Sequence, residues 1–295
     1  MINQESFSPQ RNFAALTSPY SDFDYARVAV LPVAYDSTTE WYSGTREGPQ
    51  AIITASEYLE LYDIELGRET GEVGIHTLPA VPPDMAGPEY MVQRVYQAAK
   101  GVLDKGKMVV MLGGEHSLTL GMVRAYRERY ADLSVLQLDA HTDLRDSYQG
   151  TRFGNASVMR RVSELCPVVP AGIRSLSQEE HRFIGEVGIN PFYARDMLSG
   201  QTGVDQTTAA LSQHVYITID LDVLDPSVMP AVGTPEPGGI GWYQLLGLLR
   251  EVAHSRQVVG FDLMELCPQQ GPPACAYLAA KLAYKLIGYI FYGQG

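Results

Sequence analysis

Asp139-Ala-His-Thr-Asp143 places two carboxylates and an imidazole in one short stretch. It directly follows Ser134-Val-Leu-Gln-Leu138, an apolar run with the length and composition of a buried β-strand. If the strand continues through the motif, residues 139, 141 and 143 stand at i, i+2 and i+4, and all three side chains leave on one face. Carboxylates crowded in this way raise one another's pKa and resist ionising together unless a cation compensates them, so the motif reads as part of a metal site.

Two further stretches supply the rest. The β-branched and aromatic run at residues 215–219 closes in Asp220-Leu-Asp222, again two acids at i and i+2 on an expected strand. Residues 107–112 (KMVVML) run into Gly113-Gly-Glu-His-Ser117, where the glycines permit a sharp turn that leaves His116 at a strand's carboxyl end. His116, Asp139, His141, Asp143, Asp220 and Asp222 are too many donors for one tetrahedral zinc. They suit a pair of harder divalent ions sharing carboxylates, with manganese the first choice. Two such ions about 3.5–4 Å apart would hold a water between them and depress its pKa, giving a bridging hydroxide at neutral pH and therefore hydrolysis. Phosphatases and aminopeptidases use similar sites, so the donors alone do not choose a substrate.

The elements that must position these residues alternate. Residues 26–34 read as a strand, 36–48 as a turn-rich loop, and Gly48-Pro49 as the opening of a helix from about Gln50. Apolar residues from Met91 to Leu103 recur at helical spacing. A helix over about 118–130 separates the strands at 107–112 and 134–138, and 168–173 reads as another strand. Ser177-x-x-Glu180 predicts a capping box for a helix to about Glu186. Residues 234–239 form a Pro- and Gly-rich loop, 242–254 a helix, and 258–266 a late strand that carries Asp262 and Glu265. The strand runs are continuously apolar, as expected of strands covered on both faces of a largely parallel α/β sheet. In such sheets ligands collect at the carboxyl ends of strands, where these donors fall. An eight-stranded barrel needs more strand and helix repeats than this sequence shows.

Composition narrows the partners. The chain has 295 residues, 45% hydrophobic and 19% charged, with no low-complexity tract, so a polar N-terminal arm (1–25) followed by one catalytic domain (26–295) is expected. A net charge of −12 argues against nucleic acid and favours cationic ligands. Three cysteines without a CxxC pattern suggest buried free thiols and a reducing cytoplasm. Residues 1–25 carry neither a basic n-region nor an apolar h-region, so no signal peptide is expected. The apolar segment 274–292 contains Lys281 and Lys285 and is expected to close the fold as a helix, not to span a membrane.

Gly113-Gly-Glu-His-Ser117, Asp139-Ala-His-Thr-Asp143, Asp220-Leu-Asp-Val-Leu-Asp-Pro226, Gly233-Thr-Pro-Glu-Pro-Gly-Gly239 and Asp262-Leu-Met-Glu-Leu266 occur in the order found in the ureohydrolases, the arginase and agmatinase family. The resemblance runs from the Arg46-Glu-Gly-Pro49 loop to about Pro268. It implies a three-layer α/β/α fold, two manganese ions per chain, a homo-trimer or homo-hexamer, and hydrolysis of a guanidino group to urea and an amine. Carried over by motif, His116, Asp139, Asp143 and Asp222 would bind one ion or bridge the pair, with His141 and Asp220 completing the set. Asp143 would also hydrogen-bond the nucleophilic hydroxide, and Glu265 would receive the substrate's guanidinium. Glu236 and Asp262 are candidates for supporting positions.

The segment from Leu144 to Phe153, ending in Ala156-Ser-Val-Met-Arg-Arg161, resembles agmatinases and lacks the loop with which arginases hold the amino-acid end of arginine. Agmatine is therefore the expected substrate, hydrolysed to putrescine and urea. One departure stands out: many related agmatinases read Ser-His-Ala, with the histidine as proton shuttle, where this chain reads Gly154-Asn155-Ala156, and asparagine cannot carry a proton at neutral pH. The histidines at 76, 181, 214 and 254 read as structural or surface groups. Two alternatives stay open: a hydrolase of another guanidino compound such as guanidinobutyrate or arginine, and a metal-binding paralogue without hydrolytic activity.

Overall fold

The apolar runs become parallel strands of one sheet in the structure, a computed structural model that describes residues 11–293. Residues 1–10 of the expected arm, and 294–295, lie outside the described residues. In chain order the strands are β1 (Val28–Pro32), β2 (Ile75–Thr77), β3 (Met108–Leu112), β4 (Leu133–Leu138), β5 (Val168–Ile173), β6 (Phe192–Tyr193), β7 (His214–Asp220) and β8 (Gln257–Met264). Across the sheet they run β2-β1-β3-β8-β7-β4-β5-β6, and each neighbouring pair is parallel. The sequence reading had no signal for β2 and β6. Both are short edge strands, too brief to show a pattern.

Alternate strand residues feed two separate cores, as strands covered on both faces require. Val28, Val110, Leu136 and Ile217 pack with helices α1 (Gly48–Ser56), α8 (Trp242–Ser255) and α9 (Ala274–Tyr292). Leu31, Val109, Val135 and Tyr216 pack with α2 (Pro88–Leu103), α3 (Thr119–Arg127) and α4 (Val158–Ser163). This is the three-layer arrangement. The apolar stripe expected on α2 is its buried face, made of Met91, Val92, Val95, Ala99 and Leu103. The expected capping box opens α5 (Gln178–Val187): Glu180 N donates to Ser177 Oγ at 3.3 Å, and Ser177 N to Glu180 Oε2 at 2.7 Å. Two short helices, α6 (Ala194–Leu198) and α7 (Val204–Ala209), follow before β7.

Residues 11–25 are no solvated tail. Phe13 is fully buried, its N–H donates to Thr77 Oγ1 at 2.8 Å, and Ala14 N donates to Ser56 Oγ at 2.8 Å. The segment thus closes the β2 edge of the sheet, where an open strand would expose unpaired backbone groups.

α9 is long and apolar enough by length and composition to cross a membrane, yet 61% of its most apolar window is buried in the fold. Inside it, Lys285 Nζ donates to Asp63 Oδ2 at 2.8 Å and lies 3.3 Å from Glu65 Oε2, with the Lys285 and Asp63 side chains 8% and 1% exposed. Burial raises the Asp63 pKa, but the hydrogen bond from Lys285 and the Glu65 amide outweigh it and leave the carboxyl below its usual value. Removing one member of a buried pair strands the other charge. Lys285→Met should therefore lose about 3 kcal/mol of stability, read as a lower urea midpoint, and adding Asp63→Asn should recover part of the loss. An unchanged midpoint in the single variant would show that the pair does not stabilise α9 against the sheet.

Candidate metal centre

Strands β3, β8, β7 and β4 are consecutive in the sheet although far apart in sequence. The chain leaves β3, crosses through α3 to β4, and returns later with β7 and β8 to fill the space between them, so their carboxyl ends meet at a topological switch point. There β3 delivers His116, β4 delivers Asp139, His141 and Asp143, β7 delivers Asp220 and Asp222, and β8 delivers Glu265.

The convergence is not made on strand faces as the spacing suggested. β4 stops at Leu138, and Asp143 sits at φ 53°, in the left-handed region that turns its side chain back. β7 stops at Asp220, and Asp222 lies in a tight turn (Leu221–Val223) where its N–H donates to Asp220 Oδ1 at 2.9 Å. Glu265 is likewise beyond β8, at φ 66°. Extended chain would send 139, 141 and 143 along a line about 13 Å long, whereas turns fold them around a point. At Gly114, a Cβ would lie 2.0 Å from the Tyr35 carbonyl oxygen, so only glycine lets the β3 end pass the loop after β1.

His116 Nδ1 lies 3.1 Å from Asp139 Oδ2, 3.1 Å from Asp143 Oδ2 and 3.4 Å from Asp220 Oδ2. His141 Nδ1 lies 3.0 Å from Asp222 Oδ2 and 3.8 Å from Asp139 Oδ1. Two donor groups result, His116/Asp139/Asp220 and Asp139/His141/Asp222, each with ligand atoms within 4.8 Å of one another. They share Asp139. Asp220 thus accompanies His116, and Asp222 accompanies His141.

The hydrogen-bond pattern behind His116 fixes what its Nδ1 can be. Asp262 Oδ2 accepts from Tyr216 OH at 2.7 Å and from Thr119 Oγ1 at 2.9 Å. Thr119 has then spent its proton, so the contact at 3.2 Å between the two hydroxyls has Thr218 donating. Thr218 Oγ1 therefore accepts from His116 Nε2 at 2.9 Å. Nδ1 of the neutral ring is left as a lone pair, buried and without a hydrogen-bond partner, facing three carboxylate oxygens. Lone pairs facing carboxylates are tolerable only with positive charge between them. A proton brings one charge against the four aspartates, whereas two divalent ions bring four. The donor set therefore fits a pair of hard cations sharing Asp139.

The electrostatics of the protein groups alone agree. Burial, then Asp139, pushes Asp143 up to about 7. Burial, then the charges of Asp222 and Asp139, drives Asp220 well above the carboxylate range, and burial with Asp220 does the same to Glu265. Burial disfavours charge on His141, but Asp222, Asp139 and Asp143 outweigh it and push the ring up to about 11. Asp222 is held low despite burial, by His141, the Ala140 N–H and Arg174.

Several supporting residues carry no motif of their own. Gln137 Nε2 donates to Asp139 Oδ2 at 2.9 Å and to the His141 carbonyl at 3.0 Å. Glu180, beyond its capping role, accepts from Thr142 Oγ1 at 2.8 Å and Leu144 N at 2.9 Å and so holds the turn before Asp143. Gln137 and Thr218 were legible as polar residues inside otherwise apolar strands. Asp262 is fully buried under His116 and supports it through the two threonines. Glu236 sits at the cavity mouth, Oε1 3.8 Å from His141 Nε2. His181 and His254 are exposed, and His76 and His214 bind the Ser21 carbonyl and Asp132. The three cysteines are free and buried.

A cavity of about 300 Å³ opens above the donors and is lined by Glu265, Asn155, Glu236 and the loop after β1. Glu265 Oε1 accepts from His116 N at 2.6 Å, which leaves Oε2 available to a ligand. Asn155 Oδ1 accepts from Ser117 N at 3.1 Å, so its amide NH₂ is the end left for the cavity.

The sequence profile of the arginase family matches residues 26–288. The chain belongs to the arginase family. An N(1)-aminopropylagmatine ureohydrolase of Synechocystis is 43% identical over 284 residues, covering 93% of this chain and 91% of that protein. An agmatinase of Pyrococcus horikoshii is 34% identical, covering 92% and 94%. The crystal structure of the agmatine ureohydrolase of Thermoplasma volcanium superposes with a TM-score of 0.86 at 30% identity, covering 97% of this chain and 96% of that one. Family, three-layer fold and enzyme class, a hydrolase of C–N bonds in linear amidines, are as the motifs implied.

Divalent ions should displace protons from this arginase-family cluster, because its carboxyls and imidazoles hold protons that ligands must give up. Asp143, at about 7, carries its proton below that pH and has lost it above. Calorimetric titration with Mn²⁺ in buffers of different ionisation enthalpy should therefore show more protons released per chain at pH 6 than at pH 8. A release that does not change with pH would contradict the assignment of Asp143 to the ion-binding cluster.

Proposed function

We propose that this chain holds two manganese ions between His116, Asp139, Asp143, Asp220, Asp222 and His141 and hydrolyses a guanidinoalkyl amine to urea and the free amine. The carrying observation is the pair of donor groups sharing Asp139 beside a carboxylate, Glu265, with one oxygen free. When bound, the ions would lower the pKa of a water and make it a nucleophile at neutral pH. Glu265 would receive the planar guanidinium through charge-assisted hydrogen bonds and place its carbon over the donors. Asp143 would accept a hydrogen bond from the attacking water. Water adds to the guanidinium carbon, the C–N bond to the alkyl chain breaks, and both protons of the water pass to that nitrogen, which leaves as an ammonium while the oxygen stays in urea, so charge and atoms balance.

Agmatine is the substrate expected from sequence, and the relatives named for agmatine support it at 34% and 30% identity. The relative that is 43% identical is named for the N1-aminopropyl derivative, and we place that compound first. A homo-trimer or homo-hexamer in a reducing cytoplasm belongs to the same reading, supported by the resemblance and by the free thiols. Urea release by the Mn²⁺-loaded enzyme from agmatine, N1-aminopropylagmatine, guanidinobutyrate and arginine tests it; no urea from any would overturn it.

Variants separate the roles. Asp222→Ala should bind fewer than two ions per chain and lose activity together with metal, since the cations then face each other with less compensation. Glu265→Gln should keep both ions yet lose about 10²-fold or more in kcat/KM, a neutral amide being a poor partner for a guanidinium. Loss of metal in Glu265→Gln would mean that Glu265 is a ligand.

Asn155 offers an N–H where a proton carrier would be useful to the leaving amine. In Asn155→His, ring Nδ1 can take the place of Oδ1 as acceptor for Ser117 N, which leaves Nε2 in the cavity. The variant should raise kcat and add an ionisation in the histidine range to its pH profile, with metal content unchanged. A kcat and pH profile identical to those of the parent would show that proton delivery does not limit turnover.

A further inference from the structure

The guanidinium end of the cavity is accounted for by Glu265; the mouth is not. Its lining charges are unevenly placed. Glu40 and Glu236 are carboxylates, and Arg145, which also lines it, repels an ammonium. Beside Glu40, the Trp41 and Tyr42 rings stack at 4.4 Å between centroids and 25° between planes, and Trp41 is 67% exposed. A stacked aromatic pair held in water next to a carboxylate at a cavity mouth is a recognition surface for a cation, through ring faces and charge together.

This loop is built to stay in place. Glu115, fully buried at the end of β3, accepts from Ser37 N, from Thr38 N at 2.6 Å and from Thr38 Oγ1 at 2.9 Å. At the other end Asp36 Oδ2 accepts from Gly44 N at 2.8 Å and Arg46 N at 3.2 Å. Residues 39–43 are thus clamped on both sides, and a ligand meets a loop already ordered. A Cβ at Gly233 would lie 3.3 Å from the Tyr42 carbonyl oxygen and 3.9 Å from Glu265 Oε2, so the Tyr42 backbone and Glu265 approach each other across Gly233.

We propose that Glu40, Trp41 and Tyr42, together with Glu236, form the subsite for the far cationic end of the substrate and favour a guanidine carrying a second amine over agmatine. This rests on the proposed hydrolysis of a guanidinoalkyl amine. An extended agmatine puts its only amine about 6 Å from the guanidinium nitrogen, and an aminopropyl extension carries a second ammonium about 5 Å further from Glu265.

The test is the ratio of kcat/KM on N1-aminopropylagmatine to that on agmatine, for the Mn²⁺-loaded parent, Glu40→Gln and Trp41→Ala. The ratio should exceed one in the parent and fall about three-fold in each variant, the loss expected for one ion pair or one cation–aromatic contact at an exposed site. A ratio that stays at the parent's value in both variants, while urea is still released, would overturn the subsite and leave the hydrolysis standing. A parent that releases urea from neither compound would overturn the hydrolysis itself.

Discussion

The mutual repulsion of Asp139, Asp143, Asp220, Asp222 and Glu265, all nine-tenths or more buried at one end of one sheet, is the constraint to which the rest of the molecule answers. Buried carboxylates this close cannot all ionise without compensating charge. The protein supplies two imidazoles, each aimed by Nδ1 at the acids, and otherwise neutral donors: backbone N–H groups of Ala140, His141 and Asp222, and the Gln137 amide. Arg174 is the exception, and it stands behind Asp222, donating to that residue's carbonyl at 2.6 Å. The cluster is thereby left short of positive charge, as suits a candidate site for cations.

That constraint also explains where rigidity is placed. Asp262, Thr119, Tyr216 and Thr218 form a buried polar chain that crosses β8, α3 and β7 and settles the tautomer of His116. Inside an apolar sheet each of these groups would be costly unpaired, so the chain works only when every member is present. Histidine ligands held by a hydrogen bond on the far nitrogen are better bases and fixed in orientation. The side chain that carries the negative end of this chain, Asp262, lies two strand positions before Met264 and never reaches the cavity.

The strand pattern was legible because buried parallel strands must be apolar on both faces; six of the eight central strands could be read from composition alone, and the two edge strands could not. The donors were legible as types and places, since His116, Asp139 and Asp220 each follow an apolar run. Their mode of convergence was not. Alternation along a strand is a local rule, whereas the positive φ of Asp143 and Glu265 and the turn at Asp222 go with partners distant in sequence: Glu180, Gly114 and Arg174. Gly114 accepts from Glu265 N at 2.9 Å, for example, and no reading of the β8 segment by itself contains that information. The sheet order is similarly non-local, because the space between β3 and β4 is filled only when β7 and β8 arrive.

The two halves of the site are therefore anchored differently. The half with the candidate ion donors stands on strand ends and on side chains locked by the sheet, whereas the half proposed to meet the rest of a substrate stands on the loop 36–48 and the segment around Asn155. These two are joined to each other and to β3 through a small set of contacts: Asn155 N donates to Thr38 Oγ1 at 3.1 Å, Thr38 Oγ1 donates to Glu115, and Ser117 N donates to Asn155 Oδ1. Asn155 is consequently more than an absent histidine. Its amide is part of the tie that holds the rim loop in register with the strand that carries His116, and none of those contacts involves a carboxylate of the candidate ion site. A substitution there can alter proton delivery or the grip on the substrate's tail without disturbing the donors. That separation gives a physical route by which family members acting on different guanidino compounds retain one arrangement of strand ends.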